Sequence, residues 1–133
     1  MLSVTDINIH NQLDSDIDID EVKQIVAADL SKLNVSNYLI EINFFDEESI
    51  HILNRVHRNV DRATDVLSFP QTNPTKAKLN FLGSIAISQK IVHEKRETIK
   101  DAVKHGLLHL LGYDHEDNVE LWDEKAKIID CKL

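Results

Sequence analysis

The chain has 133 residues, of which 42% are hydrophobic and 29% are charged, and its formal net charge is −8. This length and composition predict that residues 1–133 form one globular domain with a substantial hydrophobic core. No apolar run approaches the roughly 20 residues that cross a bilayer, and the first residues lack the features of a signal peptide. Cys131 is the only cysteine, which excludes an intrachain disulfide, so we expect a cytoplasmic protein.

The charge is distributed unevenly along the chain. Residues 1–50 carry a net charge of −9, residues 51–104 carry +5 and residues 105–133 carry −4. The negative total argues against long-range steering of a polyanion, whereas the basic middle third could line a local phosphate-binding groove. The alternative, which stays open, is that these lysines and arginines only solvate helix faces.

Four segments are predicted to be strands from their β-branched and aromatic content or their alternation of apolar and polar positions. They are residues 2–9, 38–45, 66–69 and 81–88. Pro70 ends the third strand, and residues 71–80 are predicted to be a polar loop. Gly83 in the fourth strand indicates a bulge or a close approach of another backbone.

Five segments show the apolar spacing of helices. They are residues 20–33, a segment that begins after Asp46, and residues 89–95, 96–111 and 118–129, with Asp20, Asp46 and Asn118 as N-caps. The predicted buried positions include Val56 in the second helix, and Val119 and Trp122 in the last. Strands and helices mix without regular alternation, which predicts an α+β fold with a small mixed sheet of about four strands and helices packed on it.

Three histidines fall within residues 105–115, and their spacing predicts a metal site. His105 and His109 are four residues apart, so they share one helix face and can reach the same ion. Gly112 stands where the helix would stop in a left-handed conformation, so the chain can turn and bring His115 over that face. Three imidazoles with one open position are typical of a catalytic metal site. We therefore predict His105, His109 and His115 as metal ligands at the end of a central helix.

The same histidines are close to the metzincin protease signature H-E-x-x-H-x-x-G-x-x-H. Gly106 replaces the glutamate that serves those enzymes as general base, which argues against peptide hydrolysis and for another metal-assisted hydrolysis. Three imidazoles suit zinc, nickel, copper or iron, and we expect zinc from its availability and tetrahedral preference.

Two long motifs resemble those of the YbeY family of bacterial rRNA maturation endoribonucleases. They are the segment Thr64-Asp65-Val66-Leu67-Ser68-Phe69-Pro70, followed by Leu82-Gly83, and the histidine segment 105–115. The resemblance implies a single-strand-specific, metal-dependent endoribonuclease that acts in maturing the 3′ end of 16S rRNA and in late-stage ribosome quality control. The partners it implies are single-stranded RNA and the ribosome or its small-subunit proteins, with no DNA and no membrane.

The resemblance also assigns residues. It implies His105, His109 and His115 as the ligands of one zinc ion, and Arg58 as the functional arginine that precedes the first motif. The sequence departs from the family pattern in three ways: Ser84 stands where the family usually has aspartate, Ala63 stands where proline often occurs, and the segment between the fourth strand and His105 is shorter than usual.

The expected reaction is hydrolysis of an RNA phosphodiester by a metal-activated water. The expected catalytic residues are His109 and Arg58, and Arg58 would hold the scissile phosphate through its planar guanidinium. Asp114 is either a partner of a ligand imidazole, a proton acceptor or a cap of the turn. The alternative function is a ribosome-associated assembly factor whose metal is mainly structural. No base-stacking residue is predicted, because Trp122 and the phenylalanines are assigned to the core.

Overall fold

The computed structural model describes residues 6–11, 17–71 and 80–132. Its helices and strands, in chain order, are β1 (Asp6–Asn11), α1 (Ile19–Lys32), β2 (Tyr38–Phe45), α2 (Glu47–Arg58), β3 (Val66–Pro70), β4 (Asn80–Ser88), α3 (Gln89–Glu94), α4 (Ile99–Leu110) and α5 (Val119–Ile128). This mixture confirms the predicted α+β class. The predicted strand residues 2–5 and most of the predicted loop, residues 72–79, lie outside the described residues.

The four strands form one mixed sheet in the order β1-β2-β4-β3. β1, β2 and β4 run parallel, whereas β3 pairs antiparallel with β4 at the edge. Leu39 pairs with Phe81 and Ile40 pairs with Gly83, so Leu82 is an extra residue that makes a bulge. Gly83 has a φ of +134°, and a Cβ there would lie 2.2 Å from the carbonyl oxygen of Phe69. Of the two alternatives predicted for Gly83, the close backbone approach is found at Gly83 itself and the bulge at the preceding residue, Leu82.

The main core lies between one face of the sheet and helices α1 and α4. Ile40, Ile42 and Phe44 of β2 are fully buried there and belong to the same apolar cluster as Leu30 of α1 and Leu107 of α4. Helix α5 packs on the outer side of α4 through a second cluster that includes Leu108 and Trp122. Helix α2 covers part of the opposite sheet face through a third cluster of Ile50, Leu67 and Ala86. Helix α4 is therefore the central helix, as predicted.

In the described part of the chain, no helix is both long enough and apolar enough to cross a membrane.

Two predicted helix starts are wrong. The N-cap of α1 is Asp18, whose Oδ1 accepts a hydrogen bond from the backbone N–H of Glu21 at 3.0 Å, and Asp20 lies inside the first turn. Helix α4 is capped by Thr98 and does not begin at Arg96, because Arg96 has a φ of +58° and separates α3 from α4. Asp46 and Asn118 cap α2 and α5 as predicted.

Two valines predicted to be buried are exposed. Val56 is 67% exposed because the buried side of α2 runs from Ile50 to Asn54, whose side-chain amide donates to the Arg62 carbonyl at 2.8 Å. Val119 is 59% exposed because it is the first residue of α5, and burial of that helix begins one turn later at Trp122. The amide of Asn54 thus occupies a position that periodicity assigns to an apolar residue.

A buried ion pair joins three helices. The Lys104 Nζ on α4 donates to both carboxylate oxygens of Asp29 on α1, at 2.9 and 3.1 Å, and also to the carbonyl oxygen of Ile129 after α5. Burial raises the pKa of Asp29, and the hydrogen bonds and charge of Lys104 oppose that rise. Lys104 is only 3% exposed, so this member of the basic middle third does not solvate a helix face.

Candidate active site

Gly106 positions the histidine-bearing turns of α4 against the sheet. A Cβ at Gly106 would lie 2.8 Å from Ile85 Cγ2 and 2.9 Å from Val66 Cγ2, so no side chain fits between helix and sheet. The Ser68 hydroxyl of β3 donates to the Gly106 carbonyl oxygen at 2.7 Å, which fixes the helix to the edge strand. The glutamate of the protease signature would not fit at this position, because the position faces the core.

The three predicted metal ligands lie together at the end of α4. His105 and His109 share one helix face, with their Nε2 atoms 3.1 Å apart and their ring centroids 4.7 Å apart. Gly112 has a φ of +94°, which confirms the predicted turn. The turn brings the ring centroid of His115 to 6.4 Å from that of His105 and 6.3 Å from that of His109.

The donor set fits a transition metal, with one adjustment. Two imidazole nitrogens that bind one ion at about 2 Å each lie about 3 Å apart, which is the spacing of the His105 and His109 Nε2 atoms. Within residues 6–11, 17–71 and 80–132, no three His, Cys, Asp or Glu side chains already stand in a geometry that could hold a metal ion. His115 is the ring that would need to move, and it lies exposed in the turn between α4 and α5. Metal binding at this site therefore stays a prediction.

Electrostatics keep the two helical imidazoles neutral. Burial lowers the pKa of His105 to about 4, and the neighbouring His109 and His115 contribute to this fall. Burial also lowers the pKa of His109, helped by His115 and by the guanidinium of Arg58, while Asp114 opposes the change. Neutral imidazole is the form that binds metal.

Trp122 of α5 forms the floor of the histidine cluster. Its ring centroid lies 5.2 Å from that of His105, 4.9 Å from that of His109 and 5.4 Å from that of His115. The side chain is 4% exposed, which confirms its predicted burial. Its contact with all three histidines was not predicted, because nothing in the spacing of α5 relates it to the end of α4.

An open cleft of about 420 Å³ lies in front of the histidines. Its walls come from the end of α2, from β3 and the two residues before it, from α4 and from the turn after α4. Arg58, the last residue of α2, lines this cleft together with all three histidines. The structure therefore brings together every predicted site residue, from segments nearly fifty positions apart in the chain.

Asp114 also lines the cleft, and its Oδ1 accepts a hydrogen bond from the backbone N–H of Glu116 at 2.9 Å. Asp114 therefore caps the turn, which is one of the three roles that the sequence left open for it. Ser84 does not line the cleft: it lies in a separate groove, where its hydroxyl donates to Glu41 Oε2 at 3.3 Å. Because position 84 lies outside the cleft, the replacement of the family's aspartate by Ser84 removes no carboxylate from the surroundings of the histidines.

Asp65 is a cleft residue that the sequence analysis did not assign to the site. Its Oδ1 accepts hydrogen bonds from the Thr64 hydroxyl at 3.1 Å and the Val66 N–H at 2.9 Å, and lies 3.4 Å from Lys95 Nζ. Burial alone would raise the pKa of Asp65, but the hydrogen bond from Glu97 and the charge of Lys95 together hold it below its usual range. The only feature of the sequence that could have indicated a place for Asp65 in the site is its membership in the first family motif.

Glu97 is the partner of that carboxylate. Burial and the adjacent Asp65 raise the pKa of Glu97 to about 7. Lys95 and Glu97 both come from the short segment between β4 and His105. The segment between β4 and His105 therefore supplies the two ionisable side chains that interact with Asp65 at the cleft wall.

Known proteins match the chain in both sequence and structure. Residues 5–129 match the family model described as Endoribonuclease YbeY. A protein named Endoribonuclease YbeY from Sulfurihydrogenibium sp. is 40% identical over 127 residues, which cover 84% of each chain. Another of that name, from Sulfurimonas denitrificans, is 39% identical over 132 residues, which cover 92% of this chain and 88% of the relative.

The fold resembles the solution structure of TM1509 from Thermotoga maritima. The TM-score is 0.60 at 24% sequence identity, and the match covers 93% of this chain and 87% of that one. At this identity the likeness bears on the fold alone, and it agrees with the α+β architecture described above.

Proposed function

Because the chain belongs to the YbeY family of endoribonucleases, we propose that it hydrolyses phosphodiester bonds of single-stranded RNA in the histidine cleft. The observation that supports this most directly is the placement of Arg58 in one open cleft with His105, His109 and His115. A cation beside a potential metal site is the arrangement that phosphoryl chemistry requires, because charge develops on the phosphate oxygens in the transition state.

We propose in addition that the substrate is the 3′ region of 16S rRNA and that the enzyme acts in late-stage ribosome quality control in the cytoplasm. The family resemblance supports this assignment, and so does the distribution of charge between the whole chain and the cleft. A net charge of −8 opposes the free approach of RNA, while the cations near the cleft favour it locally. An RNA end presented by the ribosome or its small-subunit proteins would not depend on long-range attraction.

His105, His109 and His115 are the proposed ligands of one zinc ion. The spacing of two Nε2 atoms at 3.1 Å and the lowered pKa values of His105 and His109 support this assignment. When bound, zinc would supply Lewis acidity and a water whose pKa falls to about 7. Trp122 and Gly106 hold the rings in place, Trp122 by contact and Gly106 by its fit against the sheet.

The other cleft residues have complementary roles in the proposed reaction. The Arg58 guanidinium would bind the non-bridging oxygens of the scissile phosphate, for which its planar pair of donors is suited. The Asp65 carboxylate is ionised at neutral pH and can accept a proton released in the cleft. The Asp114 carboxylate lies in the same cleft and could share that role.

Cleavage of a single-stranded RNA that carries the 16S rRNA 3′ end tests the proposal. Zinc-loaded protein would be compared with His109→Ala and with His93→Ala, which removes an exposed histidine of α3 outside the cleft. We expect cleavage by the unchanged protein and by His93→Ala, and none by His109→Ala. Equal cleavage by all three would contradict the proposal, and a ribosome-bound substrate should be tested if none cleaves the free RNA.

The assembly-factor alternative is favoured by one observation, the contact of Trp122 with all three histidine rings. Zinc held by the three histidines would join the turn after α4 to the end of α4, over the Trp122 ring of α5, and such a link is what a structural metal provides. In that case His109→Ala would lower thermal stability, yet its folded fraction would still bind RNA and support rRNA processing.

A further inference from the structure

We propose that a second groove, on the sheet face opposite the main core, binds one unpaired nucleobase of the RNA whose phosphate occupies the histidine cleft. The groove has a volume of about 370 Å³ and is lined by the aromatic rings of Phe45, His57 and Phe69, with Leu53 and Ala86 beneath them. This volume is within the range of about 300–1000 Å³ found for small-ligand sites. The inference rests on the proposed function, because it deepens the account of how the same substrate is held.

The groove adjoins the histidine cleft at two places in the chain. His57 lines the groove, and the next residue, Arg58, lines the cleft. Phe69 lines the groove, and the next residue, Pro70, lines the cleft. The end of α2 and the edge strand β3 therefore form a shared wall, over which an RNA strand leaving the cleft can reach the groove.

The groove offers the chemistry that a nucleobase requires. The His57 and Phe69 rings meet edge to face with their centroids 5.2 Å apart, and Phe45 and Phe69 are only half-buried. The prediction that the phenylalanines belong to the core is confirmed for Phe44 and holds only in part for Phe45 and Phe69. The amide of Asn43 and the hydroxyl of Ser84 stand at the same groove and can form hydrogen bonds with a base edge. Stacking on aromatic rings is the usual way in which proteins hold unpaired bases.

The charge beside the groove favours RNA over a protein segment as its occupant. Arg58 follows His57 in the last turn of α2, and both residues are exposed. A guanidinium group beside an aromatic groove can bind a phosphate next to a stacked base. An apolar side chain of a partner protein would fill the groove without using this cation.

Fluorescence of 2-aminopurine tests the inference without requiring catalysis. Metal-free protein would be titrated into short single-stranded RNAs in which one 2-aminopurine is moved through each position. We expect saturable quenching at one or two adjacent positions, because stacking on an aromatic ring quenches this base. His57→Ala should abolish that quenching and weaken RNA binding about fivefold or more, since stacking of one base contributes about 1–3 kcal/mol.

The controls separate a base site from general electrostatics and from the proposed catalysis. His93→Ala removes an exposed histidine away from the groove and should retain full quenching. Phe69→Leu keeps an apolar side chain where Phe69→Ala could unfold the domain, and should also lose the quenching. Binding without quenching at any position, or equal quenching by His57→Ala and His93→Ala, would overturn the inference whether or not the RNA is cleaved when zinc is present.

Discussion

Helices α4 and α2 have the same length of 12 residues and each carries two histidines, yet they contribute to the site in opposite ways. Seven residues of α4 are buried, including Gly106 and Lys104, whereas only Ile50 and Asn54 are buried in α2. Burial around α4 fixes the positions of His105 and His109 and lowers their pKa values. The exposed end of α2 instead presents Arg58 and His57 to solvent. Packing therefore determines, more than residue type does, whether a side chain is held in a fixed position or is exposed and able to bind a substrate.

The largest expected effect is that of a side chain at Gly106. Gly106→Glu should lower the free energy of unfolding by about 5 kcal/mol or more, because it combines overpacking against Ile85 and Val66 with burial of a carboxylate. Gly106→Ala, which adds only the Cβ, should cost about 1–3 kcal/mol. Urea denaturation followed by circular dichroism measures both values. A folded Gly106→Glu protein of ordinary stability would show that α4 is less tightly packed than described.

Loss of the buried cation on α4 should have the next largest effect. Lys104→Met leaves the Asp29 carboxylate buried without its partner and should cost about 3–5 kcal/mol. Combining it with Asp29→Leu should recover much of that loss, because no buried charge then remains. The matched control is Lys100→Met on the exposed side of α4, which should change stability by less than about 0.5 kcal/mol. Equal effects of the two lysine variants would contradict the buried position of Lys104.

The contribution of His105 to the stability of the metal-free protein is expected to fall as the pH falls from about 6.5 to about 4. Folding lowers the pKa of His105 to about 4, so in this interval the unfolded chain binds a proton that the folded chain does not. The contribution of His105 is complete above pH 6.5, is lost near pH 4, and is at most about 3 kcal/mol.

The measurement is the difference in unfolding free energy between the unchanged protein and His105→Gln over this pH range. Glu97, whose pKa is raised to about 7, acts in the opposite direction in both proteins, so the difference isolates the histidine. A difference that does not vary with pH would mean that the His105 ring is not buried as described.

Substitution of Arg58 should have the smallest effect on stability and a large effect on activity. Arg58→Ala should change the free energy of unfolding by less than about 0.5 kcal/mol, because Arg58 is exposed at the end of α2. Its loss should lower RNA cleavage by about 100-fold or more, as removal of a group that stabilises transition-state charge does. Arg55→Ala, three residues earlier in the same exposed turn, lies outside the described cleft and should cleave RNA normally. The assigned role of Arg58 is wrong if the two variants have the same activity.

The sequence predicted those parts of the fold and site that depend on local spacing. The i, i+4 histidines, the helix stop at Gly112 and the strand of Tyr38–Phe45 all follow from the periods of helix and strand, and the structure has each of them. The family motifs added Arg58, which periodicity alone would assign to an ordinary exposed surface. The predicted burial of Val56 in α2 and of Val119 in α5 was wrong, because the apolar stripe of a short helix does not show where its contacts with the rest of the domain begin and end.

Features that join distant segments were not predicted. The Lys104–Asp29 pair, the Trp122 floor and the Asp65–Glu97 pair each connect residues whose proximity is created only by tertiary packing. The half-buried rings of Phe45 and Phe69 belong to the same group, since a strand pattern does not reveal that α2 covers only part of the second sheet face.

The position of Trp122 gives this protein an intrinsic optical probe of its own site. It is the only tryptophan in the chain, so all indole emission arises from a ring that contacts His105, His109 and His115. Imidazole protonation, or an ion captured by the three histidines, would change the field and the quenching at that ring. Metal titrations could therefore be followed on the unlabelled protein, with a paramagnetic ion such as copper expected to quench the emission strongly.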